Sequence, residues 1–493
     1  MQTFTKYTIN DLIRYIPSVI IPTLLGFVAL AIYTRHLSPR EYGLYTLVFS
    51  TSLFLEVLIF NWLNQSVLRY YQRYKRTEIQ KFYSTCLFGF IFIAIALTAI
   101  MYPVLAGLNN FFDPRLRDLL YYLPLVVVCQ SGCKFMLIFL RANRESSRYS
   151  FQLSMNSLIK LAGALMLIYI FDLSAEAILL GIAIAGALIF FSENFHSARQ
   201  WHPKLRYFSK AVFKSFARYG FPLLGLAIIN LILSVSDRYL IQFIKGPASV
   251  GIYSAGYKIA ETGITGLVLF LSLASFPALI EAFETEGQAK ARVLMKDLLG
   301  IYILLLTPAV IGVTVLSGEI IEILLGGSFQ EAYLILPWIA AGKFFMGLCP
   351  YYGKSFELKE RTMMLPTIYA GPALLNILLN IGLIPSFGII GAAFSTCLSS
   401  LVCLVATIFC GKRFIDWQFP WTIFLKALAA SLLMGTVVFY FPDLEKIWLS
   451  LVIKIITGFV IYLTAIICCE KRILTVAHEF LKKNQFTQTA PND

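Results

Sequence analysis

Charged side chains are scarce in this chain, and their scarcity excludes a water-soluble fold. Only 14% of the 493 residues are Asp, Glu, Lys or Arg, whereas 58% are hydrophobic. A soluble domain of this length needs more polar surface than these residues provide. The net charge of +14 is read as a signal of membrane orientation rather than as a nucleic-acid-binding surface, and no nucleic-acid partner is expected.

Motifs of common enzymes are also missing. The chain has no Gly-rich phosphate loop ending in Gly-Lys-Ser/Thr, no His-Glu-x-x-His and no Asp-x-Asp. Its four histidines fall outside the apolar segments, and no polar segment is long enough to hold a catalytic domain. We therefore expect no enzyme activity, no cofactor and no assigned metal centre. Any transport would have to draw on an ion gradient, the membrane potential or the gradient of the substrate.

Apolar segments make up most of what the chain does contain. Each is close to the roughly 20 residues that a helix needs to cross about 30 Å of hydrocarbon. They predict an all-α integral membrane protein with about 14 transmembrane helices. The predicted spans are 8–34, 41–66, 83–107, 119–140, 150–171, 175–192, 218–244, 250–280, 294–317, 331–352, 362–385, 389–411, 420–441 and 447–468.

The loops between these spans predict the orientation of the chain. One alternating set is rich in Lys and Arg, as in the segment from Arg141 to Arg148, whereas the opposite set carries few cations. Loops rich in cations stay in the cytoplasm. An even number of spans then places both termini there, and we expect a multi-pass protein of the cell inner (plasma) membrane that contacts membrane lipids.

An internal repeat predicts two lobes. The segment Ser38–Tyr45, after the first span, recurs as Gly246–Tyr253 after the seventh, with proline, glycine and tyrosine in register. Pro-x-x-x-Gly is also ordinary turn chemistry and can recur by chance. The repeat favours an N-terminal lobe at 1–200, a cytoplasmic amphipathic linker at 201–217, a C-terminal lobe at 218–411, two appended helices at 412–468 and a cytoplasmic tail at 469–493.

Cations inside the predicted spans are the candidate functional residues. A charge in hydrocarbon is costly unless it faces water, a partner or a ligand. Each one alone could extend toward the membrane surface or pair with another helix. Together they outnumber the acids, which favours a cationic cavity for an anionic group such as a diphosphate. The candidates are Arg14, Lys160, Arg218, Arg238, Lys258 and Lys343, with the polar residues Asn64 and Gln65.

Several stretches resemble a known family. They read Leu-Ser-Pro-Arg-Glu-Tyr-Gly-Leu-Tyr at 37–45, Asn-Gln at 64–65, Arg-Tyr at 69–70, Asp-Arg-Tyr-Leu-Ile at 237–241 and Val-Gly-Ile-Tyr-Ser-Ala-Gly-Tyr-Lys at 250–258. These resemble the O-antigen type polysaccharide-biosynthesis flippases of the multidrug/oligosaccharidyl-lipid/polysaccharide superfamily. The resemblance implies two lobes that open alternately to each side of the membrane. It also implies a substrate, an oligosaccharide on a polyprenyl diphosphate carrier, and work beside a polysaccharide polymerase and glycosyltransferases.

The same resemblance implies an ion site. Some members of the superfamily hold a sodium ion between acidic and polar residues of their second lobe, and Asp237, Asn376, Asn380 and Thr396 fall at matching positions. The second acid of that pattern is Asn380 here, which removes one charge. Na⁺ or H⁺ is the expected coupling ion, and hydrogen-bonded packing of these polar residues is the alternative.

Two other functions remain open from the sequence. A cation-coupled multidrug exporter of the same superfamily would favour an acidic cavity, against the excess of cations. A polytopic glycan polymerase or ligase would need a long outer loop, and the predicted outer loops are short.

Overall fold

The computed structural model describes residues 2–108 and 112–469, with side chains from residue 17 onward except those of residues 270, 273 and 274. This part of the chain contains no β-strand. Two short 3₁₀ helices lie at Leu205–Tyr207 and Gly327–Leu334. The α-helices are α1 (Gln2–His36), α2 (Pro39–Lys75), α3 (Ile79–Gly107), α4 (Pro114–Leu120), α5 (Leu123–Ala142), α6 (Ser146–Phe171), α7 (Ala175–Trp201), α8 (Lys210–Lys245), α9 (Pro247–Glu286), α10 (Gln288–Val315), α11 (Ser317–Leu324), α12 (Leu336–Glu357), α13 (Met364–Gly411), α14 (Trp421–Phe439) and α15 (Ile447–Cys469).

The predicted all-α membrane fold is confirmed. Among the described residues, 11 helices are long and apolar enough to cross a membrane, and there are 12 if the segment Gly327–Leu334 and α12, which meet at a bend of 53°, are counted as one span. The 48 residues of α13 cover two predicted spans. Gly388, with a φ of 56°, breaks this helix into two arms, each long enough to cross. The predicted span 250–280 coincides with α9, so every predicted span has a helix or an arm at its position.

The predicted linker differs from the observed structure. We expected residues 201–217 to form a cytoplasmic amphipathic linker between the lobes, but α8 begins at Lys210 and continues without a break to Lys245. Phe216 is fully buried, its carbonyl oxygen accepts a hydrogen bond from Ser66 Oγ at 2.9 Å, and its ring lies 5.5 Å from that of Phe82. The second half of the linker is therefore the beginning of a lobe helix. The tail beyond Cys469 lies outside the described residues.

The helices pack in two groups. The first contains α1, α2, α5, α6 and α7, and the second contains α8, α9, α10, α12 and α13. The helix α14 packs against α10 and α15 at the edge of the second group. One large cluster of buried apolar side chains fills the first group and reaches α8 and α9, and another fills the second group. The lobe boundaries drawn from the repeat remain a prediction.

The two copies of the repeated motif meet where these groups touch. A Cβ atom added to Gly43 would lie 1.8 Å from the carbonyl oxygen of Pro247, and one added to Gly251 would lie 1.9 Å from that of Pro39. The contact is reciprocal, since each glycine receives the carbonyl of the other motif's proline. Only glycine permits so close an approach of two backbones. We call this contact the motif crossing, and the side of the protein where it lies the motif end.

Further contacts close the interface at the motif end. Arg35 Nη2 donates a hydrogen bond to the carbonyl oxygen of Ile323 at 2.6 Å, and the backbone N–H of Gly326 donates to Thr34 Oγ1 at 3.2 Å. These bonds join the end of α1 to the segment that follows α10. The end of α1 is therefore fixed to α11 and to the loop that follows it.

The opposite side, which we call the linker end, has its own contacts between the groups. A Cβ atom on Gly220 would lie 2.2 Å from the carbonyl oxygen of Trp62. The ring of Trp62 also stacks on Phe221, with 5.0 Å between ring centroids. The beginning of α8 is therefore packed against α2.

We predict that Gly43→Ala destabilises the protein by about 1–3 kcal/mol, because the new methyl group would force α2 away from α9. The measurement is thermal unfolding of the purified protein in detergent. Gly263→Ala in α9 is the matched control, since a Cβ atom there has no neighbour within 4 Å. That control should melt at an equal or higher temperature, because alanine favours a helix more than glycine does. Equal melting of both variants would show that the motif crossing tolerates a side chain.

Candidate functional site

A cavity of about 470 Å³ lies between the two helix groups. It is lined by side chains from α1, α2, α6 and α7 of the first group and from α8 and α9 of the second. Two of the lining tyrosines, Tyr42 and Tyr45, belong to the first motif copy, so the cavity begins directly beside the motif crossing. Because both groups contribute to its wall, a movement of one group relative to the other would change its shape.

Three of the predicted cations line this cavity together, namely Lys160, Arg238 and Lys258. Lys160 lies eleven residues before the end of α6, and Lys258 lies eleven residues after the beginning of α9. At 1.5 Å per residue, both are about 16 Å from the motif end, near the middle of a membrane about 30 Å thick. The only acidic side chain in the described lining is Glu261, so the wall carries an excess of positive charge.

The three cations differ in how they are held. Lys160 has no hydrogen-bond or ion-pair partner among the described residues, although it is half-buried. Lys258 lies 3.5 Å from Glu261, with 53% of its side chain exposed. This pair, three residues apart on α9, is the one that helical spacing predicts. Lys160 and Lys258 are therefore the cations that are most available to an anion.

Arg238 is held by its own helix and by one aromatic ring. Its Nη1 donates to the carbonyl oxygen of Ser234 at 2.5 Å and lies 3.7 Å from Asp237 Oδ1. The guanidinium also lies 4.6 Å from the ring centroid of Tyr257. Adjacent residues on a helix are expected to face different directions, but the long arginine side chain folds back toward Asp237. Arg238 thus faces the cavity and a buried carboxylate at once.

Lys343 occupies a position behind the cavity wall. Its Nζ lies 3.0 Å from Glu261 Oε1 and 4.6 Å from the ring centroid of Tyr257. It does not line the cavity. Glu261 is therefore shared between Lys343 and Lys258.

The remaining predicted cavity residues lie elsewhere. Arg218 is exposed near the linker end of α8, Asn64 is buried in α2 and Gln65 is half-buried. None of the three lines the cavity, so their part in substrate binding remains a prediction. The side chain of Arg14 lies outside the described residues.

The four residues of the predicted ion site are all buried, and Ser399 links two of them, since Asn376 Nδ2 donates to Ser399 Oγ and Ser399 Oγ donates to the carbonyl oxygen of Thr396. Asp237 accepts a hydrogen bond from Tyr253 Oη, and Thr396 donates to the carbonyl oxygen of Ala392 at 3.1 Å. A short distance away, Asn380 Nδ2 donates to Asn376 Oδ1 at 3.1 Å. No hydrogen bond among the described residues joins Asp237 to either asparagine.

The oxygen atoms of this arrangement are only partly engaged, since Asn380 Oδ1 is buried and has no hydrogen-bond partner among the described residues. A sodium or similar hard ion needs several oxygen atoms directed at one point. Here the single carboxylate, Asp237, already faces the guanidinium of Arg238, and Asn376 Oδ1 accepts hydrogen bonds from both Asn380 and Ser236. The expected coupling ion, Na⁺ or H⁺, remains a prediction, and the function proposed for the cavity does not depend on it.

Sequence reasoning missed the uncharged part of the cavity wall. Tyr33, Tyr42 and Tyr45 line it near the motif end, together with Ser254. The hydroxyl of Ser254 is buried and has no hydrogen-bond partner among the described residues. Two of the tyrosines lie inside the repeated motif, so the repeat itself was the signal that could have identified them.

Known proteins resemble this chain in sequence. The sequence model of the polysaccharide biosynthesis protein family matches residues 10–283. A relative from Haloferax volcanii, the probable low-salt glycan biosynthesis flippase Agl15, is 25% identical over 363 residues, which cover 70% of this chain and 73% of the relative.

Two solved structures share the fold. The lipid II flippase MurJ in an inward closed conformation aligns with a TM-score of 0.77 and 19% identity, over 93% of this chain and 98% of its own. A multidrug resistance MATE family transporter of the MOP superfamily, in an inward-facing conformation, aligns with a TM-score of 0.67 and 13% identity, over 81% of this chain and 97% of its own. At these identities the likeness concerns the fold alone.

We predict that Arg238→Gln destabilises the protein by about 3–5 kcal/mol, because it leaves the buried Asp237 carboxylate without a charged partner. The measurement is thermal unfolding in detergent. The double variant Asp237→Asn with Arg238→Gln should recover much of the lost stability, since both charges are then absent and none is left unpaired. Lys258→Gln, which removes a more exposed cation from the same cavity, should change stability far less. If the double variant melts no higher than Arg238→Gln, the two residues do not stabilise each other.

Proposed function

This chain belongs to the polysaccharide biosynthesis protein family, whose sequence model matches more than half of it, and from that membership we propose that it is a flippase for lipid-linked oligosaccharides. The substrate is an oligosaccharide repeat unit on a polyprenyl diphosphate carrier. The protein moves its polar head from the cytoplasmic to the outer leaflet of the inner membrane, with both termini in the cytoplasm. Transport neither breaks nor forms a covalent bond, so no catalytic residue is needed.

The cationic cavity is the observation that carries this proposal. A diphosphate presents several anionic oxygens to which Lys and Arg donate charge-assisted hydrogen bonds. Lys160, Arg238 and Lys258 reach the cavity from three helices and from both helix groups. An unpaired lysine such as Lys160 is costly in the membrane interior, and an anionic ligand would offset that cost. The cavity therefore suits the diphosphate at the middle of the substrate.

The relatives support the same reading. Agl15 is named as a flippase of glycan biosynthesis, and MurJ is named as the flippase of lipid II. This chain shares its sequence family with the first and its fold with the second. In the proposed cycle the two helix groups rock about the motif crossing, and the cavity opens to one side of the membrane and then to the other. Glycosyltransferases would supply the substrate, and a polysaccharide polymerase would use it.

A multidrug exporter is the alternative that the fold also permits, since a MATE transporter shares it. An exporter of cationic drugs needs an acidic cavity to attract its substrate. The described wall has one acid, Glu261, and that acid is already paired with two lysines. The charge of the cavity therefore favours the flippase.

We predict that Lys160→Met loses transport but not stability. The change removes a charge-assisted hydrogen bond of about 1.5–3 kcal/mol to the diphosphate, so the transport rate should fall about tenfold or more. The melting temperature should stay equal or rise, because an unpaired cation has been replaced by an apolar side chain of similar length. The assay follows a fluorescent polyprenyl-diphosphate oligosaccharide in proteoliposomes, with melting measured on the same preparations.

Lys412→Gln provides the control, since this lysine is exposed at the end of α13, far from the cavity wall. It should transport at the rate of the unmodified protein. Full transport by Lys160→Met would assign Lys160 to packing. An unmodified protein that moves a cationic dye, but none of several diphosphate-linked glycans, would replace the flippase with the exporter.

A further inference from the structure

The cavity continues past its cations toward the motif end, and the wall there changes character. Tyr33 lies one turn from the end of α1, and both Tyr42 and Tyr45 lie within two turns of the beginning of α2. All three face the cavity. Tyr45 stacks on Phe49, with 5.9 Å between ring centroids, so this part of the wall presents aromatic rings, with Arg238 as its one described cation. A ligand held by the cations would therefore meet these rings with whatever part extends toward the motif end.

One buried polar group points to a ligand in this region. Ser254, from α9, lines the same part of the cavity, and only 3% of its surface is exposed. Its Oγ has no hydrogen-bond partner among the described residues. A buried hydroxyl without a partner is unfavourable unless a ligand or water completes it. Arg238, on α8, reaches the cavity at about the same distance from the motif end as Ser254, since each lies seven residues from the end of its helix on that side.

The size of the cavity limits what can bind there. A volume of about 470 Å³ is at the lower end of the range of about 300–1000 Å³ for sites that enclose one drug-sized ligand. A diphosphate with one attached sugar is a ligand of that size, whereas a complete oligosaccharide is larger. The cavity therefore has room for the sugar next to the diphosphate, and the rest of the glycan must lie outside it.

We propose that Tyr33, Tyr45 and Ser254 form a subsite for the sugar unit that is bonded directly to the diphosphate. The aromatic rings pack against the apolar face of the sugar ring, and Ser254 Oγ exchanges a hydrogen bond with one of its hydroxyl groups. This inference rests on the proposed function, since it places the sugar relative to a diphosphate held by Lys160, Arg238 and Lys258. It assigns specificity to the first sugar and leaves the more distant sugars free to vary.

Two ligands separate the sugar from the diphosphate in the test. One is a polyprenyl diphosphate without sugar, and the other is the same carrier bearing a single N-acetylhexosamine. Binding of each to the purified full-length protein is measured in detergent by competition with a fluorescent carrier. The unmodified protein should bind the sugar-bearing ligand more tightly. Ser254→Ala should weaken that ligand about three- to tenfold and leave the bare carrier unchanged, as expected for one hydrogen bond.

Tyr45→Leu should give a similar selective loss of about three- to tenfold, because a leucine fills the space without an aromatic face. Tyr169→Leu is its control, since Tyr169 is an exposed tyrosine of α6 outside the cavity. The melting temperature of Ser254→Ala shows whether a loss of binding comes from misfolding. It should stay equal or rise, because the variant removes a buried hydroxyl that has no partner. A structural role for Ser254 would instead lower it.

Each result decides between the two proposals. Selective loss of the sugar-bearing ligand supports the subsite. Equal loss of both ligands, or no loss of either, overturns the subsite. Equal affinity of the unmodified protein for both ligands overturns the subsite but retains the flippase. An unmodified protein that binds neither ligand overturns the proposed function and the subsite with it.

Discussion

The contact between Gly43 and Gly251 is the constraint on which the rest of this molecule depends. It brings the backbones of α2 and α9 together at one end, so the two helix groups touch there and enclose space farther along. Tyr45 follows the first glycine, and Ser254 and Lys258 follow the second, on the faces that border that space. A crossing at another point along either helix would turn these side chains toward different neighbours, because helical residues three or four apart share a face. The repeated motif therefore fixes the geometry of the interface and the composition of the cavity together.

Charge in the cavity shows a balance between stability and binding. Arg238 is stabilised by Asp237 and by the ring of Tyr257, and Lys258 is stabilised by Glu261. Lys160 has no such partner in the described structure. A protein selected only for stability would replace Lys160 with an apolar residue, because an unpaired charge in the membrane interior is unfavourable. The unpaired lysine is thus the strongest sign that the cavity is built for a ligand.

Hydropathy predicted the membrane-spanning segments well, because each helix must satisfy its own backbone hydrogen bonds in lipid and therefore needs a long apolar stretch. It also identified Lys160, Arg238 and Lys258 as candidates for a cavity, since a charge inside a span needs water, a partner or a ligand. It failed where the partner comes from another helix: Glu261 on α9 draws Lys343 on α12 away from the cavity. Arg218, near the end of a predicted span, could reach the membrane surface. Tyr42, Tyr45 and Ser254 carry no charge, so only the position of the two tyrosines in the repeat and the packing of α9 reveal them.

Arg238 connects the cavity with the polar interior of the second group. Its guanidinium lines the cavity, and the same group lies 3.7 Å from the buried carboxylate of Asp237, which also accepts a hydrogen bond from Tyr253. An anion in the cavity and Asp237 therefore attract the same cation. If a bound anion drew the guanidinium toward itself, the carboxylate would lose part of its stabilisation, and the helices α8 and α9 that carry these residues would have to readjust. Because α9 also forms the motif crossing, the charge of a ligand would then act on the helix that joins the two groups.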